Sequence, residues 1–177
     1  MKSICVLAIL LLFVHACNGK INNVAFTTTD SATVSLPIVD TANSNCKQIT
    51  CAVWAQVILA EQKLYLYQNG ILKDTFLVST GDRRHKTPKF NTKFGGRMYK
   101  KYTSKKFPGG NYMGLGNMPY VIFIKGGYAI HGTTPGNFNK LGRVASHGCI
   151  RLHPNNAKVF YDLIKTVGAH NTWITVE

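Results

Sequence analysis

Acidic residues are scarce. The 177-residue chain has seven Asp and Glu against 21 Lys and Arg, a formal net charge of +14. Charged residues are sparse overall, at 16%, so the imbalance is a real excess of cation and not a by-product of a highly charged surface. It says nothing about fold. It implies attraction to polyanions, whether nucleic acid, anionic lipid or a cell-wall polymer. Repeated long apolar runs are also lacking, which excludes a multi-spanning membrane protein. The length leaves room for one domain with a tail. Apolar residues are not in short supply, at 45%, and that excludes wholesale disorder.

One apolar run does occur, at the N-terminus. Lys2 precedes eleven apolar residues from Ile4 to Val14, too few for a bilayer-spanning helix of ~20 residues. The basic start, the short apolar stretch and Ala16 predict a secretory signal over residues 1–16; a buried N-terminal helix is the alternative. Cys17 follows directly, where an acylated lipoprotein cysteine would stand, whereas His15 is unusual for such a signal. Both outcomes stay open, and a lipid on Cys17 is the one membrane association expected.

Export implies an oxidising compartment in which disulfides persist. Removing the signal discards Cys5. If Cys17 is lipidated, three cysteines remain: Cys46, Cys51 and Cys149. The first two can pair, which leaves Cys149 as the odd thiol. A small buried cysteine is one explanation; its neighbours supply another.

Residues 17–51, rich in Thr, Asn, Ser and Ala, read as a linker or loosely packed arm. From Ala52 the pattern changes. Gln56–Ala60 and Lys63–Tyr67 read as strands, Asn69-Gly70 as a two-residue hairpin turn, and Ile71–Thr80 as the returning strand. Ten of the 21 basic residues then fall between Arg83 and Lys106, interleaved with aromatics and punctuated by Gly and Pro. That stretch reads as a solvated loop and edge strand, or as an anion-tracking surface. Basic residues among aromatics also suit single-stranded nucleic acid, but a secretory signal removes the chain from that partner. Val121–Ile124 and Tyr128–Ile130 read as strands. A helix is predicted from Pro154, with Ala157, Phe160, Tyr161 and Ile164 at helical spacing and Gly168 past its end. Thr172–Val176 closes as a strand. The sum is mostly β, a β-rich α+β chain with one main C-terminal helix and hairpins rather than βαβ repeats.

Chemistry concentrates in His131-Gly132-Thr133-Thr134 and in Ser146-His147-Gly148-Cys149-Ile150-Arg151-Leu152. A thiol of pKa ~8.5 is a few per cent ionised at pH 7, and lowering that value by ~2 units takes roughly 2.7 kcal/mol. An imidazole, His131 or His147, supplies this as base or as imidazolium partner. Gly148 suggests a tight turn whose backbone N–H groups converge as an oxyanion hole. Arg151 is placed to clamp a carboxylate. Zinc is the competing use of His131, His147, Cys149 and His153, but their spacings match no common structural zinc pattern, so neither metal nor cofactor is expected.

His131, fourteen residues and then Ser146–Leu152 resembles the active-site signature of the L,D-transpeptidase catalytic-domain family. The likeness extends to Glu61–Tyr67, Val78–Gly81, Thr87-Pro88, Met118-Pro119-Tyr120, Gly127–Thr133, Leu163-Ile164 and Ile174–Val176, and covers about residues 52–177. Lys89-Phe90-Asn91 departs from it, because the family usually has a Gly soon after the Thr-Pro step.

The resemblance implies a β-sandwich or barrel domain over residues 52–177 that acts on peptidoglycan stem peptides in the periplasm or cell wall. Cys149 would be the nucleophile and His131 the base. The backbone N–H groups of His147, Gly148 and Cys149 would form the oxyanion hole, with Ser146 and Arg151 shaping the site or holding the donor stem. It implies attack on the L,D bond of a tetrapeptide, release of D-Ala, and transfer to an amine, or to water in a carboxypeptidase. No acid lies near either His in sequence, so by analogy with the family a backbone carbonyl should orient His131. The Lys93–Tyr120 stretch is the expected lid, and the basic 83–106 stretch the expected contact to anionic wall polymer. A non-catalytic wall-binding module would keep the same fold.

Overall fold

A computed structural model describes residues 45–177; the expected signal, Cys17 and most of the N-terminal arm lie outside them. Cys46 and Cys51 form a disulfide with Cα atoms 4.9 Å apart, closing a short 3-10 turn at Gln48–Thr50 just ahead of the first strand.

β1 (Val53–Ile58) and β2 (Lys63–Gln68) pair antiparallel. Their alternation puts Val53, Ala55, Val57, Leu64 and Leu66 on one buried face, as a half-buried strand requires. Asn69 and Gly70 both take positive φ, 50° and 76°, and make the predicted tight turn into β3 (Ile71–Leu77). β3 is an edge strand, largely exposed, and carries Lys73 and Asp74, charges that discourage further pairing. β9 (Thr172–Val176) lies on the other side of β1, and β4 (Phe90–Lys93) closes that edge.

The second sheet has the order β5 (Met98–Tyr99), β6 (Val121–Phe123), β7 (Ala129–Gly132), β8 (Ile150–Leu152). Residues 78–81, beyond the end of β3, run beside the β8 segment through bridges Ser79–Arg151 and Gly81–Ser146. The chain therefore passes directly from the first sheet to the edge of the second. α1 (Pro154–Val167) begins with His153 Nδ1 accepting from the Asn155 amide at 3.3 Å and with Pro154 in the first turn, a favoured helix start. It lays Ala157, Phe160 and Ile164 against the strands, and these join Ile122, Ile130, Ile150, Leu152 and Ile174 in one buried cluster. No helix of the described residues is long and apolar enough to cross a membrane.

The hairpin reading holds for β1 to β3 and for β6 with β7, but it misses two parallel pairs: β1 with β9 and β7 with β8. Both partners are far apart in sequence, so no local pattern announces them. The second parallel pair builds the site.

Candidate active site

Across β7 and β8, Ile130 pairs with Ile150 and His131 with Arg151. Carried back one residue, that register sets Cys149 beside Ala129. Side chains two residues apart share a strand face, so His131, Cys149 and Arg151 project from the same side of the sheet. Cys149 then lies diagonal to His131, about 8 Å between Cα atoms from a strand spacing of ~4.8 Å and a rise of ~3.3 Å. All three line one cavity of about 960 Å³. The seventeen residues between His131 and Cys149 are consumed by a crossover through the 3-10 turn Pro135–Lys140.

His131 is 5% exposed. Its Nδ1 lies 2.7 Å from the carbonyl oxygen of Gly132. A carbonyl only accepts, so Nδ1 carries the hydrogen and Nε2 keeps its lone pair. Burial pushes the His131 pKa down to about 4, with the Gly132 carbonyl pulling up and Arg151 pushing further down. The ring is therefore neutral at pH 7. Gly132 has a packing reason: a Cβ there would stand 2.9 Å from both Pro119 Cγ and Pro154 Cα, and its amide donates to the Pro119 carbonyl at 2.8 Å. A side chain would lever the Met118-Pro119-Tyr120 segment off the strand that holds His131.

Cys149 packs against an apolar floor of Met118, Val121, Phe123 and Ala129. Burial pushes its thiol above the ordinary range, partly offset by the Ala129 amide and the Arg151 charge. The expectation that a neighbouring imidazole depresses this pKa is thus corrected. Desolvation disfavours both the thiolate and the imidazolium, and the resting pair is neutral.

The loop ahead of Cys149 is held from several sides. Gly148 has φ +108°, and a Cβ there would meet Tyr128 Cε1 at 2.9 Å; both facts demand glycine. The Thr87 hydroxyl donates to the Gly148 carbonyl at 2.8 Å and accepts from the Gly81 amide at 2.8 Å. Because the peptide unit is planar and trans, fixing that carbonyl also fixes the opposite direction of the Cys149 N–H. Ser146 is fully buried. Its Oγ donates to the Cys149 carbonyl at 2.5 Å and accepts from the Gly148 amide at 3.1 Å.

Two expectations change here. Ser146 was expected to shape the site or hold substrate; its hydroxyl is spent inside the loop and does not line the cavity, so it shapes without touching. The Gly148 amide was expected as an oxyanion donor; it is already bound to Ser146. The amides of His147 and Cys149 donate to no acceptor among the described residues.

Around this centre, Phe107 stacks on the His147 ring at 4.2 Å between centroids, and His85 meets that ring edge-on at 5.1 Å. His85 is itself bound to Asp82 at 3.0 Å. Burial holds the His147 pKa low, with Arg151 adding to the effect. Among the described residues no three His, Cys, Asp or Glu side chains converge as metal ligands. Arg151 Nη1 donates to the Ala145 carbonyl at 3.1 Å. The stretch expected as a lid contributes Ser104 to Gly109 to the cavity wall. Asn117 pins it, donating to the carbonyls of Phe107 and Gly109 and accepting from the Ser104 amide. Thr87, Phe107 and Asn117 had no assigned part in the sequence reading. Thr87 was visible within a Thr-Pro step, but nothing local linked it to a carbonyl 61 residues away.

Residues 52–176 match the family model YkuD, described as the L,D-transpeptidase catalytic domain. No curated protein matches the sequence. Solved structures with a similar fold include an L,D-transpeptidase from Mycobacterium smegmatis, 19% identical over 72% of this chain and 59% of that one, with a TM-score of 0.58. One from Mycobacterium tuberculosis H37Rv is 18% identical over 72% and 58%, with a TM-score of 0.59. An L,D-transpeptidase in complex with imipenem is 21% identical over 72% and 59%, with a TM-score of 0.57. The chain spans less than two thirds of the length of each.

Proposed function

Because the chain belongs to the L,D-transpeptidase catalytic-domain family, we propose that it is a cysteine acyltransferase of peptidoglycan stem peptides. Cys149 is the nucleophile and His131 the general base. As Sγ attacks the carbonyl of the L,D bond, the thiol proton passes to His131 Nε2. The amides of His147 and Cys149 stabilise the oxyanion. Collapse breaks the C–N bond, His131 returns the proton to the leaving amine, D-Ala departs and a thioester remains. An amine acceptor then attacks the thioester while His131 takes its proton, and the expelled sulfur is reprotonated.

One observation carries this reading. A neutral, buried His131, locked by the Gly132 carbonyl with Nε2 unprotonated, shares a cavity and a sheet face with a buried thiol. A neutral imidazole is the competent base for a neutral thiol. The loop at Ser104–Gly109, with Phe107 over His147, supports partial exclusion of water, which an amine acceptor needs in order to compete. The Cys46–Cys51 disulfide supports export to an oxidising compartment, in line with a signal over residues 1–16 and a periplasmic or wall location. The basic 83–106 stretch suits anionic wall polymer as a further contact.

Incubation with a tetrapeptide donor, or with imipenem, followed by intact mass measurement tests the assignment. The parent protein should gain a covalent adduct. Cys149→Ala and His131→Ala, checked for folding by circular dichroism, should gain none. An adduct on Cys149→Ala at the parent rate refutes the nucleophile.

A further inference from the structure

Five cationic side chains reach the cavity from separate parts of the chain: Arg97 ahead of β5, Lys105 and Lys106 on the covering loop, Lys140 at the end of the 3-10 turn, and Arg151 on β8. No Asp or Glu lines it. Among the described residues the ion pairs are Lys63–Glu61, His85–Asp82 and Lys158–Asp162, and none involves these five. Four of the five are instead held by neutral groups. Arg151 donates to the Ala145 carbonyl, Lys140 to Asn137 Oδ1 at 3.0 Å, Arg97 lies 3.8 Å from the Phe123 ring centroid, and Lys106 sits 5.4 Å from that of Phe107. Carbonyls and ring faces fix a cation without cancelling its charge. Burial of the half-buried Arg151 guanidinium disfavours its charge, and Asp82, which does not line the cavity, offsets that only in part, so a ligand carboxylate would add to the offset.

Arg151 and Lys140 bear electrostatically on His147, and Arg151 on Cys149 as well. Lys106 borders the Phe107 ring that stacks on His147, and Arg97 borders the Phe123 ring of the floor under Cys149. Five cations exceed what the single C-terminal carboxylate of a donor requires.

Resting on the acyltransfer reading above, we infer that this cavity selects an acidic donor peptide with free carboxylates in addition to its C-terminus, and discriminates against donors whose internal carboxylates are amidated. The five cavity cations together receive these carboxylates. Converting a carboxylate to a primary amide removes a charge-assisted partner and places an N–H₂ donor against ammonium and guanidinium donors, which repel it.

Two synthetic tetrapeptides ending in D-Ala provide the test: one with free internal carboxylates, one with them as primary amides, both with the terminal carboxylate free. Acylation of the full chain is followed by intact mass against time. The free-acid donor should acylate about ten- to a hundredfold faster at low salt, and the ratio should shrink as salt rises. In the Lys105→Gln, Lys106→Gln double variant the ratio should fall toward one. Equal rates for the two donors in the parent, or faster acylation by the amide, overturn the inference while leaving the acyltransfer reading intact. Acylation by neither donor overturns the acyltransfer reading and this inference with it.

Discussion

The protonation state of the resting Cys149–His131 pair is the sharpest consequence of the site, and pH is the perturbation that reads it. Burial moves the two groups in opposite directions: the thiol upward and the imidazole down to about 4. Lowering the His131 pKa from 6.5 to about 4 makes transfer of a proton from sulfur to Nε2 harder by about 3 kcal/mol before the attraction between the resulting ions is counted. The upward shift of the Cys149 thiol adds to that cost and keeps the thiol protonated at pH 7. Alkylation by iodoacetamide, followed between pH 5 and 9, measures thiolate directly. The expected rate climbs about tenfold per pH unit and shows no plateau at neutral pH. Acylation by a donor peptide should behave differently, because there His131 acts as base within the step; its acid limb should lie near the low His131 pKa and not near ~6.5. A fast, pH-independent alkylation plateau between pH 5 and 7 would identify a preformed thiolate–imidazolium pair and refute the account of the site as a neutral pair.

Two further outcomes follow from the same contacts. The folded pKa of His131, about 4, lies below the ~6.5 of an unfolded chain, so between those values the unfolded state binds a proton that the folded state refuses. Stability is complete above ~6.5 and is lost as pH falls toward 4, by up to about 3 kcal/mol from this group. Urea unfolding at pH 7 and 4.5 should show a smaller acid loss in His131→Gln than in the parent; equal losses would count against burial of a neutral ring. Thr87→Val deletes a buried hydroxyl that serves both the Gly148 carbonyl and the Gly81 amide. It should cost about 2–5 kcal/mol and slow acylation, whereas Thr87→Ser should restore most of both; a Val variant that melts and acylates like the parent would show that the hydroxyl does not hold the loop.

Several parts of this molecule were legible in the chain because their causes are local. Asn69-Gly70 needs only positive φ at two positions to predict its turn, and Ala157, Phe160 and Ile164 need only the helical period to predict a buried face. Thr172–Val176 reads as a strand from composition alone. The family motif named Cys149 and His131, and a backbone carbonyl as the orienter of His131 is the arrangement found at Gly132. The scarcity of acid is likewise a property of composition alone.

Tertiary structure decided the rest, because the deciding contacts join residues far apart. The parallel pairing of β7 with β8 aligns His131 and Cys149 on one face, and no periodicity within either segment reveals a parallel partner. Desolvation set the sign of the Cys149 shift, and burial is a property of packing and not of the residues flanking the thiol. Ser146 was expected to shape the site or hold the donor stem, and only packing shows that its hydroxyl bonds the Cys149 carbonyl and the Gly148 amide within the loop. Thr87 acts on Gly148 only because residues 78–81 cross from one sheet to the edge of the other. Residue chemistry is written in the chain, but which charges are paired, which amides stay free and which protons can move depends on neighbours that only the folded backbone supplies.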